Sequence, residues 1–260
     1  MRTARTWRPA WLDIVQSIDG IVLEAAERAL DGRHPNLNLG IVPYSAVLHL
    51  RACQETGLWA NGQGYHAASL GIFRHSVEAL SLIDLGLQAP EYNTALLTDW
   101  KTGKKSHGEI RKALERDIWP HYGTGLWSEP WSQFFGNLSR AVQPFAHYRP
   151  DLMNWQFYLP SQSPVFAEDG NLLMVQRIGR RTHDSVKAAR LYLLSAMIVW
   201  TVARLLLIND AAWSGPTEKI AALGRSIAGS KLLEKGEDWS EQLMGNAFFR
   251  PGYDWSDPPL

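Results

Sequence analysis

The stretch YHAASLGIFRHSVEALSLIDLGL, residues 65–87, decides the fold class. Its apolar residues recur at helical spacings along one face: Leu70, Phe73, Val77, Leu80 and Leu87. Ile72, Leu82 and Leu85 widen this face beyond the narrow stripe of a surface helix. A helix this apolar needs neighbours on several sides. The stretch therefore predicts a central helix in a bundle of helices.

Helical periodicity also dominates the rest of the chain. Further helices are predicted over 9–31, 43–57, 106–119, 128–142, 182–209, 217–228 and 230–244. Ser106 and Glu109 have the spacing of a capping box, which marks the start of one of these helices. Pro144 lacks a backbone donor, so we expect the helix over 128–142 to end or kink before Phe145.

Residues 155–178 follow a different pattern. Two short apolar runs flank Asp169 and Gly170, a dipeptide that favours a tight turn. The segment is therefore either a small β-hairpin or a long ordered loop. The whole pattern predicts an all-α helical bundle of about eight helices with this insertion. No segment rich in Gly, Ser or Pro marks a boundary, so residues 1–260 are expected to form a single helical domain.

The composition excludes several classes of protein. Lysine plus arginine and aspartate plus glutamate balance at 26 each, so no net charge attracts the chain to nucleic acid or to a membrane. The lone Cys53 excludes an internal disulfide framework and a cysteine-rich zinc site. A single thiol fits a reducing compartment, and we expect a cytoplasmic protein. The twelve tryptophans indicate large aromatic anchors, either in the core or at an interface.

The most apolar run, LYLLSAMIVWTVARLLLIND at 191–210, is a candidate membrane span. Arg190 and Arg204 bracket only thirteen residues of it, whereas a span needs about 20. The run therefore predicts a buried core helix, and no association with a membrane is expected.

Two stretches carry a resemblance to a known family. GIFRHSVEALSLIDLGL at 71–87 places Arg74 and Glu78 one turn apart, and NLSRAVQPFAHYRPDLM at 137–153 joins a Leu-Ser pair to a later histidine. Together they resemble the helical domains of the HEPN superfamily and its relatives in abortive-infection systems. The resemblance implies a homodimer and, as in the active members, metal-independent cleavage of RNA.

In active HEPN ribonucleases an Arg-x(4–6)-His motif lies at a helix end in the dimer interface. The resemblance places Arg140 and His147 there as the catalytic pair. The chemistry needs a general acid/base with a pKa near neutrality, which histidine provides. It also needs a cation that stabilises charge on the phosphate, which suits the guanidinium group. Attack by the ribose 2′-hydroxyl would then leave a cyclic phosphate.

The same spacing occurs four times in the sequence: Arg28…His34, Arg116…His121, Arg140…His147 and Arg177…His183. Composition alone gives about one or two such matches by chance, so the motif does not select a site by itself. The Leu-Ser context favours Arg140 and His147. The structural alternative for this pair is a solvated arginine at a helix end and a histidine bonded to a backbone carbonyl.

Four other residues are predicted to contact substrate: Arg74, Glu78, Lys104 and Lys105. Arg74 and Glu78 form either a surface ion pair or a partly buried structural pair. Lys104 and Lys105 belong to the basic stretch 101–112, which either holds phosphate or is a solvated loop.

Two functions of different class remain open. The first is a HEPN-type defence or toxin–antitoxin protein that cleaves RNA without a metal. The second is a non-enzymatic helical interaction or regulatory module, whose partner would be a cognate antitoxin or a regulatory protein. The neutral charge, the repeated motif and the tryptophans support the second function. The sequence contains no phosphate-binding loop, dinucleotide fingerprint or metal motif, so no cofactor or metal is expected.

Overall fold

The structure, a computed structural model, describes residues 10–146, 152, 155–156, 158–166, 172–179 and 183–230. Eight α-helices lie in these residues: α1 (Ala10–Leu30), α2 (Leu37–Gly62), α3 (His66–Leu87), α4 (Pro90–Lys101), α5 (His107–Asp117), α6 (Trp131–Val142), α7 (Ser185–Asn209) and α8 (Thr217–Ala228). Buried side chains from all eight belong to one hydrophobic cluster, so the described helices share a core. The predicted all-α fold is confirmed.

Helix α7 lies at the centre of this core. Helices α1, α3 and α8 all pack against it. Within the part of the chain that the structure describes, Val186–Asn209 is the one helix long and apolar enough to cross a membrane, and 78% of its most apolar window is buried in the protein. The predicted buried core helix is therefore confirmed.

Helix α3 is divided into two halves of different character. Helix α2 packs along it, and α5, α6 and α7 contact it as well. Every residue from Ala79 to Leu87 is buried, which confirms the predicted central helix. The half that precedes Ala79 differs, because Arg74 and Glu78 are partly exposed and His75 is exposed. The site described below lies in this more exposed half of α3.

Helix α2 is longer than the predicted segment 43–57. It begins after Asn36, whose side-chain Oδ1 accepts a hydrogen bond of 3.0 Å from the backbone N–H of Asn38. The prediction that Pro43 starts the helix was wrong, since Pro43 lies inside it. The proline packs against Gly86 of α3, where an added Cβ would come within 2.2 Å of the Pro43 Cβ. Close packing of two helices therefore outweighs the local cost of an internal proline.

Local sequence patterns fail to predict α4 but predict the start of α5. Helix α4 is not predicted by periodicity, because its sequence is polar and only Asn93 and Leu97 in it are buried. The start of α5 is predicted correctly by its capping box. Ser106 N–H donates to Glu109 Oε2 at 2.7 Å, and Ser106 Oγ accepts from Glu109 N–H.

The segment after α6 also follows the prediction. Helix α6 ends at Val142, and Pro144 lies in a 3-10 helix, Gln143–Ala146; a second short 3-10 helix, Trp119–His121, follows α5. Strands β1 (Tyr158–Phe166) and β2 (Leu172–Gly179) pair antiparallel, which confirms the hairpin alternative for the insertion. The predicted turn at Asp169 and Gly170 and the predicted helix over 230–244 lie outside the described residues.

Candidate functional site

An ion pair occupies the exposed half of α3. Arg74 Nη2 lies 2.8 Å from Glu78 Oε1, one turn along the helix, and the two side chains are 31% and 34% exposed. His75 places its Nδ1 3.5 Å from the other carboxylate oxygen of Glu78, Oε2. Glu78 therefore contacts a guanidinium group and an imidazole at the same time. The Arg74–Glu78 pair is therefore partly buried, which agrees with the second of the two alternatives drawn from the sequence.

Helix α5 brings a second imidazole to this place. His107 is the first residue of α5, and its Nε2 makes a hydrogen bond with the backbone carbonyl of Glu78. A carbonyl oxygen can only accept, so the proton lies on Nε2 and Nδ1 is left as an acceptor. Among the described residues Nδ1 of His107 has no hydrogen-bond partner.

The surroundings of His107 keep its ring neutral. Burial lowers the pKa of His107 below its ordinary value of 6.5. The hydrogen bond to Glu78 and the charge of Glu78 oppose this effect, whereas the charges of Arg111 and Arg74 add to it. His107 is therefore neutral at pH 7 and has an open acceptor nitrogen, which is the form that a general base requires.

Arg111 is a cation without an acidic partner at this site. It follows His107 by one turn of α5 and is half-buried. Its Nε is buried without a hydrogen-bond partner, and its guanidinium group forms no ion pair with any residue that the structure describes. Such a charge is costly, and a bound anion would offset the cost. We name the five residues the Glu78 cluster: Arg74, His75, Glu78, His107 and Arg111.

His49 and Cys53 of α2 border the Glu78 cluster. The rings of His49 and His75 meet edge to face with centroids 5.9 Å apart. Cys53 Sγ lies 3.5 Å from His49 Nε2. Cys53 is buried, and burial raises the pKa of its thiol. A thiol that stays protonated at neutral pH is a weak nucleophile, so the site does not depend on cysteine chemistry.

The two predicted substrate lysines lie on the loop between α4 and α5. Lys105 Nζ is 3.6 Å from Asp99 Oδ2, and the backbone N–H groups of Lys104 and Lys105 donate to the Asp99 carbonyl at 2.8 and 3.1 Å. The Lys104 side chain is exposed. Of the basic stretch 101–112, Arg111 joins the Glu78 cluster, whereas Lys105 pairs with Asp99.

The predicted pair Arg140 and His147 is described only in part. Arg140 is exposed in the last turn of α6 and donates a hydrogen bond to Oδ1 of Asn137. His147 lies outside the described residues. Neither Arg74 nor Glu78 forms a hydrogen bond or ion pair with Arg140 in the described part of the chain. The prediction of a catalytic role for Arg140 and His147 stays a prediction.

Two other Arg-x(4–6)-His matches contain residues with local structural contacts. His34 is buried, accepts a hydrogen bond of 3.0 Å from the Asn36 N–H at Nδ1, and has Nε2 3.0 Å from Thr94 Oγ1. Arg116 binds Asp117 through two hydrogen bonds of 2.6 and 2.7 Å. These contacts account for both residues without a ligand.

A second acidic residue of α3, Asp84, is absent from the predicted site residues. It is completely buried and accepts hydrogen bonds from Trp119 Nε1 at 2.7 Å, Tyr122 OH at 2.5 Å and Gln88 Nε2 at 2.9 Å. Burial raises the pKa of Asp84 to about 6, although these three donors act in the opposite direction. Asn209 of α7 extends the network by donating to Tyr122 OH at 2.9 Å. The protein itself supplies every partner of Asp84, which indicates a structural role.

Comparison of the chain with family models, with curated proteins and with solved structures finds no match. No group of three or more His, Cys, Asp or Glu side chains in the described ranges is arranged to hold a metal ion. The Glu78 cluster, with two guanidinium groups, two imidazoles on α3 and α5 and one carboxylate, is the candidate functional site. Its chemistry favours an anionic substrate.

Proposed function

We propose that the protein is a metal-independent endoribonuclease whose active site is the Glu78 cluster. A neutral and oriented imidazole next to an arginine without an acidic partner carries this proposal. His107 has its Nε2 fixed by the carbonyl of Glu78 and its Nδ1 open. Arg111 follows one helical turn later with a buried, unpaired Nε.

The proposed reaction needs no group beyond the protein and the RNA. His107 Nδ1 accepts the proton of the ribose 2′-hydroxyl as the 2′-oxygen forms a bond to phosphorus. The bond from phosphorus to the 5′-oxygen breaks, and His75 donates a proton to that oxygen. The products are a 2′,3′-cyclic phosphate and a free 5′-hydroxyl.

The other three residues of the Glu78 cluster have supporting roles. Arg74 and Arg111 bind the phosphate and stabilise the charge that develops on it. Glu78 is a positioning residue, because its two oxygens contact Arg74 and His75 and its backbone carbonyl orients His107. A site with two arginines and one carboxylate retains positive charge for the substrate.

The predicted pair Arg140 and His147 is an alternative location for the same chemistry. The test is cleavage of a mixed-sequence RNA in EDTA by wild type, His107→Gln and His147→Ala. Loss of cleavage in His107→Gln alone supports the Glu78 cluster, and loss in His147→Ala alone moves the active site to the predicted pair. A substrate with a 2′-deoxyribose at the cleaved position must resist cleavage. His121→Gln, an exposed histidine outside both sites, is the matched control.

A stripe of exposed apolar side chains on α2 is a candidate interface for the homodimer that the HEPN resemblance implies. Its members are Leu37 (77% exposed), Ile41 (55%), Leu48 (44%) and Trp59 (64%). With 3.6 residues per turn their positions fall within about 40° of one another around the helix. Trp59 also stacks on Tyr65 with ring centroids 6.4 Å apart. Such a stripe is typical of a protein-binding face, and the occupant we propose is a second copy of the chain.

Sedimentation of the purified protein tests this interface. We expect wild type to sediment as a dimer and the double variant Leu37→Ser/Ile41→Ser as a monomer. Ile21→Ser removes an exposed apolar side chain from α1 and should leave the dimer intact. A wild type that remains a monomer at high concentration would overturn the homodimer and direct the search to an antitoxin or regulatory protein.

A further inference from the structure

A groove between α7 and α8 has a volume of about 350 Å³. Its walls come from Trp200, Arg204 and Leu207 of α7, from Ile220 and Arg225 of α8, and from the loop that contains Thr124. A cavity of roughly 150 Å³ is enough to hold a benzene molecule. The groove therefore has room for an organic molecule larger than a single ring.

Arg204 is a half-buried charge on the α7 wall. Its Cζ lies 5.9 Å from the centroid of the Trp200 ring, in a cation–π contact. In the residues described it has no hydrogen bond and no carboxylate partner. Burial also lowers the pKa of Arg204. An aromatic face offsets only part of the cost of taking a guanidinium group out of water, so the charge is left without full compensation.

Arg225 provides a second guanidinium group on the α8 wall. It is exposed, and no carboxylate among the described residues pairs with it. Thr217, at the start of α8, and Thr124 add two hydroxyl groups to the lining. Leu207 and Ile220 make the remaining surface apolar. The groove thus presents two cations, two hydroxyls and an apolar wall without an acidic residue in its lining.

We infer that this groove binds a small organic oxyanion, a phosphate ester or a carboxylate, whose charged end contacts Arg204 and Arg225 and whose apolar part packs against Leu207 and Ile220. The planar fork of a guanidinium group matches two oxygens of such an anion. The ligand would supply the negative charge that the protein does not. This inference does not depend on the proposed ribonuclease activity, because no residue of the Glu78 cluster lines the groove.

Thermal unfolding of the full chain with added ligands tests the inference. The probes are phenyl phosphate, benzoate, inorganic phosphate and benzyl alcohol, which is a neutral analogue of similar size. A ligand that binds only the folded protein raises its Tm in a saturable manner. We expect phenyl phosphate or benzoate to do so and benzyl alcohol to have no effect. The response to the two organic anions identifies the preferred oxyanion, and a response to none of the probes overturns the inference.

Variants at the two arginines locate the binding. Arg204→Met removes the charge at similar length and should weaken binding by about tenfold or more. Arg225→Gln is a second test at an exposed position, where folding is not at risk. Arg116→Met removes another arginine with a 76% exposed side chain and should bind as wild type does. Equal binding by wild type and both groove variants would place the ligand elsewhere and overturn the inference.

The unfolding temperature of the ligand-free protein tests whether Arg204 lacks a counterion. Because Arg204 lacks a counterion, Arg204→Met should unfold at the same temperature as wild type or at a higher one. A marked loss of stability would show that the guanidinium group is already satisfied within the protein, which contradicts the premise. RNA cleavage by Arg204→Met should equal that of wild type, so failure of the groove and failure of the Glu78 cluster are distinguishable.

Discussion

Two acidic residues on one helix, Glu78 and Asp84, have opposite environments. Glu78 has a side chain that is 34% exposed and contacts two cationic or titratable side chains, whereas Asp84 is fully buried among three neutral donors. The protein satisfies Asp84 completely. Around Glu78 it leaves an open imidazole nitrogen and an unpaired guanidinium group. Unused hydrogen-bonding capacity, rather than the presence of a charge, distinguishes the candidate site from the structural network.

The largest expected effect separates the two carboxylates by stability. Asp84→Ala leaves Trp119 Nε1 and the Tyr122 hydroxyl buried without an acceptor, so it should lower the free energy of unfolding by about 3–5 kcal/mol. Glu78→Ala breaks a partly exposed ion pair and should cost less than about 1 kcal/mol. Urea denaturation at pH 7 measures both. If both variants lost the same free energy of unfolding, the Glu78 cluster and the Asp84 network would not differ in their contribution to stability.

The pH dependence of stability gives the next effect. The pKa of Asp84 is raised from 3.8 to about 6, so between these values the folded protein binds more protons than the unfolded chain. Asp84 therefore makes its full contribution to the free energy of unfolding below about pH 4. As the pH rises through 6 this contribution is lost, which lowers the free energy of unfolding by up to about 3 kcal/mol. Burial lowers the pKa of His66 to about 4, which acts in the opposite direction.

A comparison with Asp84→Asn isolates this effect, because the contribution of His66 is the same in both proteins and cancels. The difference in unfolding free energy between wild type and Asp84→Asn should fall as the pH rises from 4 to 6 and stay constant above 7. A difference that does not change over this range would show that the carboxyl group does not titrate there.

The contrast between the two halves of α3 also explains which features the sequence could predict. Periodicity identified α3 and α7 as core helices because burial of an apolar face determines both the pattern and the packing. Pairing of Arg74 with Glu78 was predictable because helical geometry places residues i and i+4 together.

The contribution of α5 to the site was not predictable in the same way. His107 contacts Glu78 through tertiary packing across 29 residues of sequence, which no local spacing reveals. Arg111 joins the site because it follows His107 by one turn of α5. Asp84 carried a signal that could have been used. A lone acid in the buried run SLIDLGL requires buried donors, although only the fold shows that Trp119 and Tyr122 supply them.

A substitution at His107 should reduce activity without affecting stability. In His107→Gln the amide can still donate to the Glu78 carbonyl, whereas the basic Nδ1 is lost. We expect RNA cleavage to fall by about 100-fold or more, while the free energy of unfolding changes by less than about 1 kcal/mol. Single-turnover cleavage in EDTA and urea denaturation measure the two quantities. Unchanged cleavage would exclude His107 as the general base.

Arg111 should give the smallest effect, and we expect it in RNA binding rather than in stability. A guanidinium group without a counterion contributes little to folding, so Arg111→Gln should leave the unfolding free energy unchanged or raise it slightly. RNA affinity should fall about tenfold, and the salt dependence of binding should weaken by about one phosphate contact. Arg111→Lys keeps the positive charge but lacks the planar guanidinium group. It should therefore bind RNA with the salt dependence of wild type and with only part of its affinity. Binding of a non-cleavable 2′-deoxy substrate at several salt concentrations measures each of these quantities. If Arg111→Gln instead destabilises the fold and leaves RNA binding unchanged, Arg111 belongs with Asp84 among the structural residues.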